Sequence, residues 1–104
     1  TWGSASGAVQ EAVERLAVEG TDCRMVAMRL LAPLCKREFE QALSGAEQIL
    51  VVEQNHSGQL YRYLNACEAL PPDGGSFARP GPLPLRPGEI VMAVLRHLER
   101  GKDR

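Results

Sequence analysis

The most constraining feature of this chain is an apolar run that stops abruptly at a polar cluster. Ile49 to Val52 are all aliphatic, and the polar segment 53–57 follows them directly. Gly58 then opens an amphipathic segment. This order predicts a buried parallel strand, a polar turn at its carboxyl end and the start of a helix. In open α/β sheets, the carboxyl ends of the strands are the edge at which ligands bind.

Length and composition indicate one globular domain. The chain has 104 residues, of which 44% are hydrophobic and 24% charged, and its formal net charge is −1. A chain of this size builds a single core, so we expect one domain over residues 1–104. The near-neutral charge argues against binding to nucleic acid or to an anionic membrane. No apolar run approaches the length of a membrane span.

The cysteines favour a reducing compartment. Cys23, Cys35 and Cys67 give an odd count without close spacing, which is typical of free thiols in a cytoplasmic protein. Cys23 and Cys67 lie among apolar residues, and we expect them to pack as small hydrophobic side chains. Zinc sites use closely spaced Cys and His ligands, so we expect no metal site.

Apolar residues at helical spacing predict four helices. Ser4 or Ser6 is expected to cap the first helix, and Gly20 is expected to end it. The last helix is expected to start near Pro87. The predicted buried stripes are Val9, Ala12, Val13, Leu16 and Ala17; Phe39, Ala42 and Leu43; Leu60, Tyr61, Leu64 and Ala69; and Ile90, Val91, Val94, Leu95 and Leu98.

Strand patterns separate these helices. Thr1–Gly3 resembles the tail of a strand, which suggests that the chain was cut from something longer, and Cys23–Leu31 reads as a buried strand. The proline-rich stretch Pro71–Pro87 is expected to be a loop with a short edge strand near Ser76–Arg79. Helices that alternate with strands predict an α/β fold, a three-layer α/β/α sandwich on a mostly parallel sheet.

Three loops are expected at the carboxyl edge of that sheet, over residues 3–7, 29–33 and 53–58. Two of them run into helix N-termini, whose free amides can hold an anion. The alternative is that their serines only cap helices. The candidates for contacts with a ligand or an interface are Ser4, Ser6, Gly7, Glu53, Gln54, Asn55, His56, Ser57 and Gly58.

Glu53 ends a predicted buried strand, where a carboxylate is costly unless it is hydrogen-bonded. We expect it to accept hydrogen bonds from backbone amides or from Arg29, or to meet a group on another domain. Asn55 is expected to turn the chain, and His56 to be solvated in an exposed turn. No phosphate-binding loop, nucleophile elbow or zinc motif is present in the sequence. The chain alone is therefore not expected to be an enzyme, and no residue is assigned a catalytic or cofactor-binding role.

At TWGSASGAV, RLLAPL, ILVVEQNHSGQL and LRPGEIVMAVL, the chain resembles one known domain. It is the carboxyl-terminal, transketolase C-terminal-like domain of 2-oxoacid:ferredoxin oxidoreductases, found at the end of the α subunit and as domain II in single-chain pyruvate:ferredoxin oxidoreductases. The resemblance covers nearly the whole chain. It implies a three-layer α/β sandwich whose first, antiparallel strand precedes Thr1, so that the chain is a fragment of a longer subunit that lacks this strand.

The resemblance also implies a parent enzyme that oxidatively decarboxylates a 2-oxoacid to an acyl-CoA and reduces ferredoxin. The implied cofactors are thiamine diphosphate, magnesium and an iron–sulfur cluster, with coenzyme A as a substrate. The GDG…N segment and the closely spaced cysteines that such groups require are absent from this sequence. The implied role is a non-catalytic structural and assembly domain, whose partners are the other domains of the α subunit, a thiamine-binding β subunit and, through the parent complex, ferredoxin. A homodimer is also compatible with this role.

Two alternatives stay open from the sequence. One is the carboxyl-terminal domain of a transferase of the transketolase or deoxyxylulose-phosphate synthase type. The other is a free-standing module that binds an anion at the helix N-termini near Ser6 and Ser57.

Overall fold

Helices and parallel strands alternate along residues 1–28 and 35–102, which a computed structural model describes. A short 3₁₀ turn at Gly3–Ala5 leads into the first helix. The elements that follow are α1 (Ser6–Val18), α2 (Lys36–Leu43), β1 (Leu50–Glu53), α3 (Gln59–Ala66), β2 (Gly75–Ala78) and α4 (Pro87–Lys102).

The two strands pair in parallel, with a register that runs from Leu50 opposite Gly75 to Glu53 opposite Ala78. Parallel neighbours need a crossover, and α3 supplies it. A separate parallel bridge joins Trp2 to Met28. The predicted α/β fold with parallel strands is confirmed, and so is the predicted edge strand, which begins one residue earlier than expected. The complete three-layer sandwich stays a prediction.

Successive residues of β1 enter different hydrophobic clusters, because side chains alternate across a strand. Val52 packs in a cluster with residues of α1 and α4, including Ala12 and Ile90. Val51 packs in a second cluster with residues of α2 and α3, including Phe39 and Leu64. The short strand is therefore covered by helices on both sides.

The four predicted helices are confirmed, although their buried stripes are narrower than expected. Ala17, Ala42 and Leu95 are exposed, while Phe39 is buried as predicted. Ala69 is buried but lies beyond the end of α3. The two-turn helices α2 and α3 bury only one or two side chains each, and Ala42 of α2 reaches solvent for this reason.

The predicted serine cap of α1 is wrong. The 3₁₀ turn runs directly into the helix, so Ala5 occupies the cap position and Ser6 is the first helical residue. The cap residue Ala5 makes no side-chain hydrogen bond to the helix. At its other end, Gly20 has a φ of +92°, which fits the predicted left-handed end.

The predicted buried strand over 23–31 is only partly present. Residues 29–31 of this predicted strand lie outside the described residues. The same holds for Arg29 as a partner of Glu53 and for the expected loop at 29–33. Within 23–28, the one regular pairing is the bridge at Met28, and no residue is fully buried. Residues of this segment and of β1 line a common cavity of about 660 Å³.

The proline-rich stretch is fixed in place by Arg79. Its Nε forms an ion pair with Glu89 of α4 at 2.7 Å, and its Nη atoms donate to the carbonyls of Pro80 and Pro84. A guanidinium satisfies several carbonyls at once because its donors lie in a rigid fork. This loop is therefore attached to α4 by specific contacts.

Candidate functional site

Glu53 is the last residue of β1, and its side chain turns into the protein. Its backbone carbonyl accepts a hydrogen bond from the Arg79 amide at 3.1 Å, which completes the pairing with β2. The residue has 0% exposure, and it is the only fully buried charged residue in the part of the chain that the structure describes. A carboxylate removed from water in this way costs several kcal/mol unless donors replace the water.

The donors come from the start of α3 and from Asn55. Oε1 of Glu53 accepts from the Leu60 amide at 2.7 Å and from Asn55 Nδ2 at 2.5 Å, and Oε2 accepts from the Tyr61 amide at 3.0 Å. The positive end of the helix dipole adds to these three charge-assisted bonds. The prediction that Glu53 accepts backbone hydrogen bonds is confirmed.

The Asn55 side chain accepts hydrogen bonds from the other backbone amides at the start of α3. Its Oδ1 accepts from the amides of Ser57, Gly58 and Gln59 at 3.1, 2.7 and 3.3 Å. The predicted turn-forming role of Asn55 is confirmed. The amides of residues 57–61 all have acceptors within the chain, so this helix start offers no free amide for an anion.

Gln54 connects the polar turn to the proline-rich stretch. Its Nε2 donates to the Leu83 carbonyl at 2.5 Å, and its Oε1 accepts from the Leu85 amide at 3.3 Å. These partners lie 29 and 31 residues away along the chain. Nothing local in the sequence signals this contact. The hydrogen bonds of Gln54 therefore stabilise the fold.

Gly58 is glycine for a conformational reason. It is buried and has a φ of +63°, which side-chain-bearing residues rarely adopt. A Cβ at this position would lie 3.4 Å from Ser76 Oγ and 3.8 Å from Glu53 Oε2. The tight turn thus places the backbone amides at the start of α3 within hydrogen-bonding distance of the Glu53 carboxylate.

The surface near this turn combines polar and apolar side chains. His56 and Ser57 are exposed. Leu83, whose carbonyl is held by Gln54, has a 66% exposed side chain, and Trp2 is 39% exposed. A cavity of about 320 Å³ joins Trp2, Gly3 and Ala5 to Gln54. We call Trp2, His56, Ser57 and Leu83 the corner face.

The structure therefore divides the candidate residues into groups. Glu53, Gln54, Asn55 and Gly58 build the turn, whereas His56 and Ser57 are exposed on it. In the loop at residues 3–7, Ser6 and Gly7 form the first turn of α1, and Gly3 lies beside Gln54. The loop at residues 3–7 and the polar turn thus meet, as the topology predicts, and Ser4 lies within the 3₁₀ turn.

Burial shifts two pKa values outside this turn. Burial lowers the pKa of the Thr1 amino group, and the nearby Glu53 carboxylate opposes that shift. Burial, with a smaller contribution from Asp22, raises the pKa of the Cys23 thiol. All three cysteines are free thiols, and Cys35 is exposed.

Metal coordination needs several converging donors. Within residues 1–28 and 35–102, no three His, Cys, Asp or Glu side chains are grouped so that they could hold a metal ion. In the same ranges, no helix is long and apolar enough to cross a membrane.

The fold and the turn define an α/β domain built on parallel strands, with a self-satisfied polar turn at the strand ends. No family model matches the sequence. Along its whole length the chain is homologous to one segment of 2-oxoacid:ferredoxin oxidoreductase α subunits. It is 38% identical over 104 residues to subunit alpha of 2-oxoacid:ferredoxin oxidoreductase 2 from Aeropyrum pernix, and 35% identical over 104 residues to the alpha subunit from Saccharolobus solfataricus.

A solved structure shows the same fold. The 2-oxoglutarate:ferredoxin oxidoreductase from Magnetococcus marinus, with 2-oxoglutarate, coenzyme A and succinyl-CoA bound, matches 92% of this chain with a TM-score of 0.81 and 29% identity. The chain spans about 16% of the length of each of these proteins. The resemblance given by the sequence motifs is therefore confirmed.

Replacing Glu53 tests whether the carboxylate stabilises the turn. In Glu53→Gln, only one oxygen can accept, and the new amide group faces a backbone N–H. We expect the free energy of unfolding to fall by about 2 kcal/mol or more, since hydrogen bonds to charged groups contribute about 1.5–3 kcal/mol. Urea denaturation measures this loss. The matched change Glu99→Gln, at an exposed position of α4, should stay within about 0.5 kcal/mol; equal effects of the two changes would refute the role of Glu53.

Two glycine substitutions should change the free energy of unfolding in opposite directions. Gly58→Ala places a Cβ in left-handed backbone, which costs about 1–2 kcal/mol. Gly7→Ala in α1 meets no atom within 4 Å and should raise stability by up to about 1 kcal/mol, because alanine favours helix. Thermal denaturation compares the two variants. A Gly58→Ala protein as stable as the parent would contradict the account of this turn.

Proposed function

We propose that this chain is a non-catalytic structural and assembly domain of a thiamine-diphosphate-dependent 2-oxoacid:ferredoxin oxidoreductase. The observation that carries the proposal is the internal use of the turn's polar groups. Glu53, Gln54 and Asn55 all bond within the chain, so none is free to act on a substrate. The similarity to α subunits over the whole chain supports the choice of enzyme.

The corner face is the surface that we assign to docking. Trp2 and Leu83 expose apolar area and are both close to Gln54, while His56 and Ser57 are exposed on the turn that Gln54 belongs to. A buried aromatic anchor ringed by polar groups is typical of protein interfaces. Gln54 and Arg79 donate hydrogen bonds to the backbone carbonyls of Leu83 and Pro84, so this part of the face is held in place by the chain itself. A surface that is ordered before association has a lower entropic cost of binding. The partners that we propose are the other domains of the α subunit and a thiamine-binding β subunit.

The chemistry of the parent enzyme is assigned to those partners. We propose that the whole protein oxidatively decarboxylates a 2-oxoacid to an acyl-CoA in the cytoplasm and reduces ferredoxin, with thiamine diphosphate, magnesium and an iron–sulfur cluster held elsewhere in the assembly. The described residues do not fit these groups, because they supply neither a cluster of metal ligands nor free amides at the start of α3. Dimerisation of the assembled enzyme is compatible with this proposal.

The two alternative functions have less support. The relatives named above are oxidoreductases, which weighs against a transferase of the transketolase type. An anion-binding module would need the amides near Ser57, and these are bonded to Asn55 and Glu53.

Substitution of Leu83 tests the docking role in the complete enzyme. Leu83→Asp places a charge on the corner face and should weaken association with the partner subunit by at least about tenfold, equivalent to about 1.4 kcal/mol. Met92→Asp is the matched control, since Met92 is 54% exposed on α4. Co-purification and 2-oxoacid-dependent reduction of ferredoxin measure assembly and turnover. Normal assembly and turnover of the Leu83 variant would overturn the assignment of the corner face.

A further inference from the structure

Two exposed arginines occupy helix starts, where a positive charge is unfavourable. Arg86 directly precedes α4, and its carbonyl accepts hydrogen bonds from the amides of Glu89 and Ile90 at 3.0 and 3.3 Å. Arg86 therefore holds the cap position, where Ser, Thr, Asp and Asn are preferred because their side chains accept bonds from the helix amides. Arg62 lies in the first turn of α3, and its amide donates to the Gly58 carbonyl at 2.9 Å. The positive end of the helix dipole disfavours a cation at both positions.

Neither positive charge is neutralised within the part of the chain that the structure describes. Both arginines are exposed, and neither guanidinium has an ion pair or a hydrogen bond with another described residue. Glu89 is the acidic residue nearest to Arg86 along the chain, but its carboxylate pairs with Arg79 at 2.7 Å. The two arginines thus depart from the preference of a helix start without a compensating contact, and departures of this kind are expected at functional sites.

Both arginines border the corner face. The parallel strands β1 and β2 end at the same edge of the sheet, so α3 and α4, which follow them, both begin at that edge. Arg86 follows Leu83 by three residues. Arg62 is one turn into α3, and because helical side chains tilt toward the N-terminus, its guanidinium extends toward the polar turn. The exposed apolar area of the corner face is therefore flanked by two unpaired cations.

The opposite ends of two helices carry negative charge. Glu19 is the C-cap of α1, and Glu68 directly follows the C-cap of α3; both are exposed. The chain as a whole has a net charge of −1, so the unpaired cations beside the corner face are a local feature. A nucleic acid is bound through many phosphate contacts and would need a larger basic surface. Two arginines around an apolar centre suit a protein surface that carries carboxylates.

We propose that the corner face docks against an acidic surface of the partner subunit, where carboxylates pair with Arg62 and Arg86. This inference rests on the docking role proposed above and adds the charge of the surface that the corner face meets. Arginine suits such pairs because its planar guanidinium matches a carboxylate with two parallel hydrogen bonds. The partner's carboxylates also compensate the two charges that the helix dipoles disfavour. Exposed charges at the rim of an interface act mainly on the rate and specificity of association.

Association kinetics test the proposal. The complete α polypeptide is mixed with its partner subunit at about 50 and about 500 mM NaCl, concentrations between which salt screening changes strongly. A surface-immobilised subunit or stopped-flow fluorescence gives the association rate constant. We expect this rate constant to fall by about tenfold or more at the higher salt concentration, because the attraction between the two surfaces is screened. A rate constant that does not depend on salt would overturn the proposal.

Charge reversal locates the attraction. The double variant Arg62→Glu/Arg86→Glu should lower the association rate constant at low salt by about tenfold or more and remove its salt dependence. The matched control Arg96→Glu/Arg100→Glu changes the net charge equally in the far half of α4, where Arg100 lies about 20 Å from Arg86 along the helix. The control should change the rate constant by less than about twofold. Thermal denaturation verifies that both variants fold.

Equal effects of the two double variants would indicate a general effect of net charge and would contradict the proposal. Disruption by Leu83→Asp without an effect of the Arg62/Arg86 reversal would leave the docking role intact and refute the acidic partner surface. No effect of Leu83→Asp would refute the docking role itself. The two failures are therefore distinguishable.

Discussion

The carboxylate of Glu53 is fully buried and joins the end of β1 to the start of α3. Its charge is tolerable there only because two backbone amides and the Asn55 side chain donate to it. The same bonds fix the position of α3, whose Leu60 and Leu64 fill one hydrophobic cluster. Gly58 permits the turn that aims those amides, and Asn55 occupies the amides that Glu53 does not reach. The arrangement at this edge of the sheet therefore depends on one buried charge.

In this arrangement, the polar side chains of the turn bond within the chain. Polar side chains at the carboxyl ends of parallel strands would ordinarily suggest a ligand site. Here most of their hydrogen-bonding groups are satisfied within the chain, and the exposed remainder is a surface of mixed polarity. A surface of this kind agrees with the association that we propose. The similarity of the chain to a segment of much longer α subunits agrees with a domain that works within an assembly.

Much of the fold follows from local sequence pattern. The helices follow from apolar spacing, and β1 follows from four consecutive aliphatic residues. The roles of Glu53 and Asn55 follow from the cost of a buried charge and from the turn chemistry of asparagine. These features are predictable because their causes lie within about ten residues of one another.

Other features depend on distant parts of the chain and could not be predicted. The bonds from Gln54 to the Leu83 and Leu85 backbone need two segments that meet only in the folded protein. The cap of α1 was mispredicted because the 3₁₀ turn replaces a serine cap. The pattern of residues 23–28 is that of a buried strand, yet the described chain leaves one of their sides open.

The central claim is that Glu53 and Asn55 stabilise the start of α3 as one unit. A double-mutant cycle with Glu53→Gln, Asn55→Ala and the combined variant measures their coupling from the free energies of unfolding. Because the two side chains bond to each other and share the amides of one helix start, we expect a coupling energy of about 1 kcal/mol or more. Effects that add to within about 0.3 kcal/mol would show two independent contacts and would contradict the claim.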